Sequence, residues 1–169
     1  MVEKNIAAQR ARYDARVLLA EDNATAQVVS GMMLRRLGCT VDVAANGREA
    51  VDRLGDTSYD IVFMDCEMPQ MDGFEATRAI RARADDKARI PIIAVTAQAM
   101  QGDRERCIAA GMSDYLTKPV QEEAFADALK RWVPATRPRS LQRMWRQARW
   151  RTARSRARSI PKPRSTRTS

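Results

Sequence analysis

The stretch YDIVFMDCEMPQMDG, residues 59–73, decides how the rest of the chain is read. Its first part, Tyr59 to Met64, reads as a short strand buried on both faces. The second part sets Asp65, Glu67 and Asp72 within eight residues of one another, around Pro69 and ahead of Gly73. Acid clusters usually lie on a solvated face. Here the first acid follows directly on a buried strand, and a carboxylate in such a place needs something to meet it.

Working outward, short apolar runs rich in Val and Ile recur at Val17–Ala20, Thr40–Ala44, Asp60–Met64, Ile92–Thr96 and Asp114–Thr117. Between them lie helical patterns at about 25–36, 47–54, 73–83, 101–110 and 121–132. Val28, Met32 and Leu37 are spaced for one face of the first helix, Phe74, Thr77 and Ile80 for one face of the third, and Phe125, Leu129, Trp132 and Val133 for the last. Strands alternating with helices imply right-handed βαβ units and an open, doubly wound parallel sheet of five strands with helices on both faces. The chain is too short for an eight-stranded barrel.

Ligands of such sheets bind beyond the carboxyl ends of the strands, near the switch in strand order. The residues at those ends are Glu21-Asp22 after the first strand, Asp65 after the third, Thr96 after the fourth and Lys118-Pro119 after the fifth. Asp65 is therefore expected to meet Glu21, Asp22 and Lys118. Three carboxylates in one small site repel one another, and a hard divalent cation relieves that repulsion. Mg²⁺ suits them, with Asp22 and Asp65 as direct ligands, the Glu67 backbone carbonyl as a third, and Glu21 acting through water. Lys118 and the Thr96 hydroxyl complete a set fitted to an incoming phosphoryl group, with Asp65 placed to attack phosphorus.

Each piece alone has a plain structural reading: an acidic pair after a strand is often a helix cap, Lys-Pro a common loop, a lone threonine a packing residue. Their conjunction at four strand ends, in order, carries the functional reading. Asp72 reads as a helix cap and Cys66 as a small packed residue.

Composition narrows the chemistry. The chain has no histidine, which excludes a histidine nucleophile, ligand or phosphocarrier. Cys39, Cys66 and Cys107 form no CxxC pair, which fits a reducing compartment and argues against a zinc site. No apolar run approaches the roughly 18 residues of a membrane span, and the first residues lack the apolar core of a secretory signal. A cytoplasmic location is expected.

Taken together, the segments VLLAEDNATAQ, AANGREAVD, YDIVFMDCEMPQMDGFEATRAIR, IPIIAVTAQAM and CIAAGMSDYLTKPV, in this order over 16–134, resemble a response-regulator receiver domain of two-component signalling. The likeness is strongest to receivers of hybrid sensor histidine kinases. It implies a flavodoxin-like sheet of order 2-1-3-4-5, Asp65 as phosphoacceptor, Glu21, Asp22, Asp65 and Glu67 as the Mg²⁺ site, and Thr96, Lys118 and Tyr115 as the phosphoryl-binding and switch residues. It implies a cis Lys118-Pro119 bond and, at Glu67 and Gln98, side chains that tune dephosphorylation. The donor implied is a phosphohistidine on a sensor kinase or histidine phosphotransfer protein. The output implied is a change in the face around helix 4, strand 5 and helix 5, which binds a protein partner. Such a protein accepts a phosphoryl group rather than turning over substrates. A phosphatase of the haloacid-dehalogenase type would want a second Asp two residues after the nucleophile, where Glu67 stands.

The formal charge of +9 hides an asymmetry. Residues 135–169 hold 12 of the 30 basic residues and none of the 21 acidic ones, so residues 1–134 carry a net −3. The expected organisation is a lead-in over 1–15, a receiver over 16–134 and a basic tail over 135–169. The tail reads as a disordered extension or as an out-of-frame stretch, which its abrupt change of composition favours. Alternatively, Leu141, Met144, Trp145 and Ala148 form an amphipathic stripe among arginines. Such a tail would serve as an arm for nucleic acid or an acidic membrane surface, under phosphorylation control.

Overall fold

The computed structural model describes residues 13–97 and 101–133. Gln98, the first residues of the lead-in and the whole basic tail lie outside the described residues. In chain order the elements are β1 (Arg16–Ala20), α1 (Ala24–Arg36), β2 (Thr40–Ala44), α2 (Gly47–Asp56), β3 (Ile61–Asp65), α3 (Gly73–Arg81), a 3₁₀ turn (Asp86–Arg89), β4 (Ile92–Thr96), α4 (Gln101–Ala110), β5 (Asp114–Thr117) and α5 (Glu122–Trp132). The strands form one parallel sheet of order β2-β1-β3-β4-β5. The switch in order falls between β1 and β3, so the loops after these two strands open on the same crevice.

Alternation along the strands builds two cores. Leu18, Val62, Met64, Ile92 and Ala94 pack with Leu54, Ala76, Ile80 and Cys107 on one side. Val17, Leu19, Ile61, Phe63, Ile93 and Val95 pack with Leu34, Phe125 and Leu129 on the other. Successive side chains of a strand point to opposite faces, so a strand covered by helices on both sides has to be apolar throughout. All five residues of β3 and of β4 are buried accordingly. Phe63 meets Phe125 edge to face, ring centroids 4.9 Å apart, which seats α5 on the centre of the sheet.

Each helix has local reasons for its ends. Asn23 and Asn46 cap α1 and α2 through their side-chain oxygens. Asp72 and Glu75 form a reciprocal capping box at the start of α3, so the expected role of Asp72 as a cap holds. The stripe read from α1 is corrected. Of its three residues, Leu37 at the helix end is buried in the core, but Val28 and Met32 are each 58% exposed, and the buried residues within the helix are Gly31 and Leu34. The inner face is carried by Leu34 and Leu37 with Met33 beside them, and Val28, Val29 and Met32 are left in solvent.

Below the sheet, the Arg81 guanidinium donates to the carbonyls of Gly111, Ala88 and Ile90 and to the Ser113 hydroxyl. It thereby fastens the end of α3 to the turn between α4 and β5. Gly111 has φ +95°, and a Cβ there would press on the Arg81 side chain at 3.0 Å. Gly55, in the last turn of α2, has nothing within 4 Å of where its Cβ would stand. Gly111→Ala is expected to lower stability by about 1–3 kcal/mol. Gly55→Ala is expected to raise it by roughly 0.5–1 kcal/mol. Urea unfolding of the two variants checks both signs.

Candidate functional site

The carboxyl ends of β1, β3, β4 and β5 meet in a cavity of about 290 Å³ lined by Glu21, Asp22, Asp65, Glu67, Thr96 and Lys118, among others. The sheet order brings these six sequence-predicted residues together. Tyr115 stands apart, on β5, with its side chain at the surface.

The loop after Asp65 is built to return on itself. Gly73 donates its backbone N–H to the Cys66 carbonyl at 3.1 Å. A Cβ on Gly73 would collide with the backbone carbonyl oxygen of Asp65, so the chain closes here only without a side chain. The loop is tied outward by Gly47, which donates its N–H to the Met71 carbonyl at 3.0 Å. Gln70 takes a left-handed backbone with φ 68°. Lys118-Pro119 is cis, as the resemblance implies.

Burial and charge set the electrostatics. Asp65 and Glu21 are buried, whereas Asp22 and Glu67 are exposed at the rim. Lys118 Nζ donates to Asp65 Oδ2 at 2.6 Å and lies 3.1 Å from Glu21 Oε2. Asp65 Oδ1 accepts the Glu67 N–H at 3.0 Å, and Glu21 Oε1 accepts the Asn23 N–H at 3.1 Å. Burial raises the Glu21 pKa above the ordinary carboxylate value; Lys118 and the Asn23 amide oppose this, and the nearby Asp65 charge adds to it. Burial works against the charge of Lys118 too, but hydrogen bonds and charges from Asp65 and Glu21 outweigh it and hold the ammonium above its usual range. The backbone joins the strands as well: Lys118 donates its N–H to the Thr96 carbonyl at 2.8 Å.

One carboxylate oxygen from each of Glu21, Asp22 and Asp65 lies within 4.8 Å of the other two. Three carboxylates face one ammonium, and all the donors are hard oxygens, so the residues fit a small divalent cation. Glu21 and Asp65 are each engaged by Lys118 and by a backbone amide, which leaves Asp22 as the most available of the three carboxylates. Cys66 is packed in the core beside Cys107; burial pushes both thiols up and keeps them protonated. This agrees with Cys66 as a packing residue.

Sequence reasoning missed two features. Gln27, on the first turn of α1, reaches back to the Glu21 carbonyl at 2.7 Å. A cavity of about 550 Å³ opens between α1 and the β5–α5 loop, lined by Ala26, Val29, Val95, Pro119 and Val120 with Glu21 and Lys118 at its edge. No periodicity signals either one, because both depend on which way α1 is turned.

The fold and this rim define a class: flavodoxin-like α/β domains whose switch-point crevice is acidic instead of being a glycine-rich phosphate cradle. The family follows from comparison with known proteins. The family model of the response regulator receiver domain matches residues 17–130, and the chain belongs to that family. As a receiver domain it is a module of two-component phosphorelay signalling. It is 34% identical over 168 residues to Histidine kinase 1 of Arabidopsis thaliana, covering 79% of this chain and 14% of that protein. It is 37% identical over 120 residues to the signal transduction histidine-protein kinase BarA of Escherichia coli, covering 71% of this chain and 13% of that protein. The chain thus spans a small fraction of the length of these curated relatives.

Among solved structures, the receiver domain of sensor histidine kinase PA1611 from Pseudomonas aeruginosa is 46% identical with TM-score 0.67, covering 73% of this chain and 100% of that one. That structure has a magnesium ion coordinated in its active site cleft. The receiver domain of Ssk1 from Saccharomyces cerevisiae, co-crystallised with the histidine phosphotransfer protein Ypd1, belongs to a match at 32% identity and TM-score 0.65, covering 71% of this chain and 89% of that one. Among the described residues no helix is long and apolar enough to cross a membrane.

Lys118→Met leaves Asp65 and Glu21 buried against each other without their cation. In the absence of divalent metal it is expected to lower stability by about 1–3 kcal/mol, and millimolar Mg²⁺ is expected to return part of that loss. Chemical unfolding with and without Mg²⁺ measures both effects.

Proposed function

We propose that the chain is the phosphoacceptor of a phosphorelay, with Asp65 taking a phosphoryl group from a phosphohistidine on a sensor kinase or histidine phosphotransfer protein. The observation that carries this reading is the position of Asp65: buried at the tip of β3, bonded to Lys118 at 2.6 Å, and beside two further acids. Asp22, Asp65 and the Glu67 backbone carbonyl would hold Mg²⁺, with Glu21 acting through water. Bound there, Mg²⁺ supplies Lewis-acid charge that offsets the carboxylates and the phosphoryl oxygens.

The chain's own residues do the rest. A carboxylate oxygen of Asp65 attacks phosphorus, an O–P bond forms, the N–P bond to the donor imidazole breaks, and the imidazole leaves with a proton. Lys118 Nζ, already on Asp65, moves its charge onto the transferred group. The Thr96 hydroxyl, at the end of β4, donates to a phosphoryl oxygen. The acyl phosphate brings roughly −1.5 to −2 charges to a buried rim. Drawing Thr96 and Lys118 inward to meet it biases the α4–β5–α5 face, where Tyr115 stands exposed, toward a second packing that a protein partner reads. Glu67 at the rim and Gln98, two residues after Thr96, set the lifetime of the phosphoryl group. The protein is a phosphoacceptor that assists its own phosphorylation and dephosphorylation; it is not a turnover enzyme.

The donor approaches over α1. Val28, Val29 and Met32 form an apolar surface beside the 550 Å³ cavity, whose edge is Lys118 and Glu21. Surface of this kind next to a reacting carboxylate suits a protein that has to bring its own side chain to that carboxylate.

The test uses a small-molecule phosphodonor with Mg²⁺ and intact-mass detection. Wild-type chain is expected to gain one phosphoryl group, labile to hydroxylamine as an acyl phosphate is. Asp65→Asn is expected to gain none. Equal labelling of Asp65→Asn, or a label stable to hydroxylamine, would contradict the assignment.

A further inference from the structure

Asp22, like Glu67, is a rim carboxylate with little to hold it. It is exposed, and among the described residues no group is hydrogen-bonded to its carboxylate. A metal ligand on a loose loop binds weakly unless its backbone is fixed, because the ordering cost falls on the binding step. The backbone on either side of Asp22 is fixed, and one residue is responsible for much of it.

Gln27 Nε2 donates to the Glu21 carbonyl at 2.7 Å, and the Gln27 backbone N–H donates to the Asn23 carbonyl at 2.9 Å. The two bonds grip the residues immediately before and after Asp22. The remaining flanking groups are also held: Glu21 N–H donates to the Ala44 carbonyl at 3.0 Å, and Asn23 N–H donates to Glu21 Oε1. The backbone bond of Gln27 belongs to the helix and survives any substitution but proline. The side-chain bond is specific to an amide of this length. It fixes the plane of the peptide between Glu21 and Asp22, and that plane sets the direction in which the Asp22 side chain leaves the backbone.

From this bracket we infer that Gln27 is a positioning residue for the carboxylate of Asp22, pre-orienting it for a divalent cation that it never touches. The inference rests on the metal site set out under Proposed function.

The test is a Mg²⁺ titration of the full chain followed by the amide resonances of Asp22, Asp65 and Glu67, with the unfolding midpoint of each variant measured in metal-free buffer. Gln27→Leu keeps a good helix former in α1 and removes the donor. It is expected to raise the Mg²⁺ dissociation constant about tenfold while the metal-free midpoint stays near that of wild type. Gln27→Glu is isosteric and sets a carboxylate against the Glu21 carbonyl. It is expected to weaken binding in spite of its added negative charge. In an Asp22→Asn background, Gln27→Leu is expected to cost nothing further, because the residue it orients is gone.

Wild-type affinity in both Gln27 variants would overturn the inference. So would a tenfold loss that persists undiminished in the Asp22→Asn background, since that is what a general loosening of the loop produces. If Asp22→Asn alone left the affinity unchanged, the metal site itself would be refuted, and the inference with it; weakened binding in Asp22→Asn beside normal binding in Gln27→Leu would refute the inference alone.

Discussion

The contact of the Lys118 ammonium with Asp65 and Glu21 is the constraint on which the site depends. Two buried carboxylates at neighbouring strand ends would not both hold their charge in an apolar surround. One ammonium, 2.6 Å from the first and 3.1 Å from the second, makes the pair tolerable. The three groups come from β1, β3 and the end of β5, distant in sequence, and only a parallel sheet of order 2-1-3-4-5 brings their carboxyl ends to one crevice. The near-continuous burial of β3 and β4 is what fixes that sheet, so hydrophobic patterning and site chemistry are two aspects of one arrangement.

The rim is graded. Glu21 and Asp65 are buried and engaged, while Asp22 and Glu67 are exposed. The buried pair is suited to fixed geometry, and the exposed pair to exchange with water and ions. Hydrogen bonds to the backbone hold the loops that carry them: Gly73 to Cys66 and Gly47 to Met71 for the loop after Asp65, the Gln27 side chain to Glu21 for the acidic pair. Lys118 contacts Asp65 directly, so under the proposed function a charge arriving on that carboxylate would redistribute the ammonium. This is the physical opening for a switch at this position.

Much of this was legible in the sequence. β2, β4 and β5 lie where the apolar runs place them, and β1 and β3 differ by a residue at their ends. Strands buried on both faces leave a pattern that loops do not imitate. The residues at the strand ends were legible because topology, once known, dictates where they meet. Asp72 was readable as a cap because it stands immediately ahead of the helical pattern that starts at residue 73. The α1 face was not. Val28 and Met32 have helical spacing, but spacing gives a stripe and not its direction, and both side chains face solvent. The 3₁₀ turn at Asp86–Arg89 has no periodicity to announce it. The bond from Gln27 to Glu21 was likewise beyond reach, since a polar side chain on the first turn of a helix reads as solvated. The placing of Gln98 and of residues 135–169 rests on sequence alone.

The most direct measurement is transfer of labelled phosphate from a phosphorylated histidine phosphotransfer domain to the full chain, for wild type, Asp65→Asn and Lys118→Met, with and without Mg²⁺. The expected result is rapid, Mg²⁺-dependent transfer to wild type, none to Asp65→Asn, and transfer slowed about a hundredfold in Lys118→Met, as for loss of one charge-stabilising donor. Transfer to Lys118→Met as fast as to wild type, or label accumulating on Asp65→Asn, would contradict the role given to the Lys118–Asp65 contact.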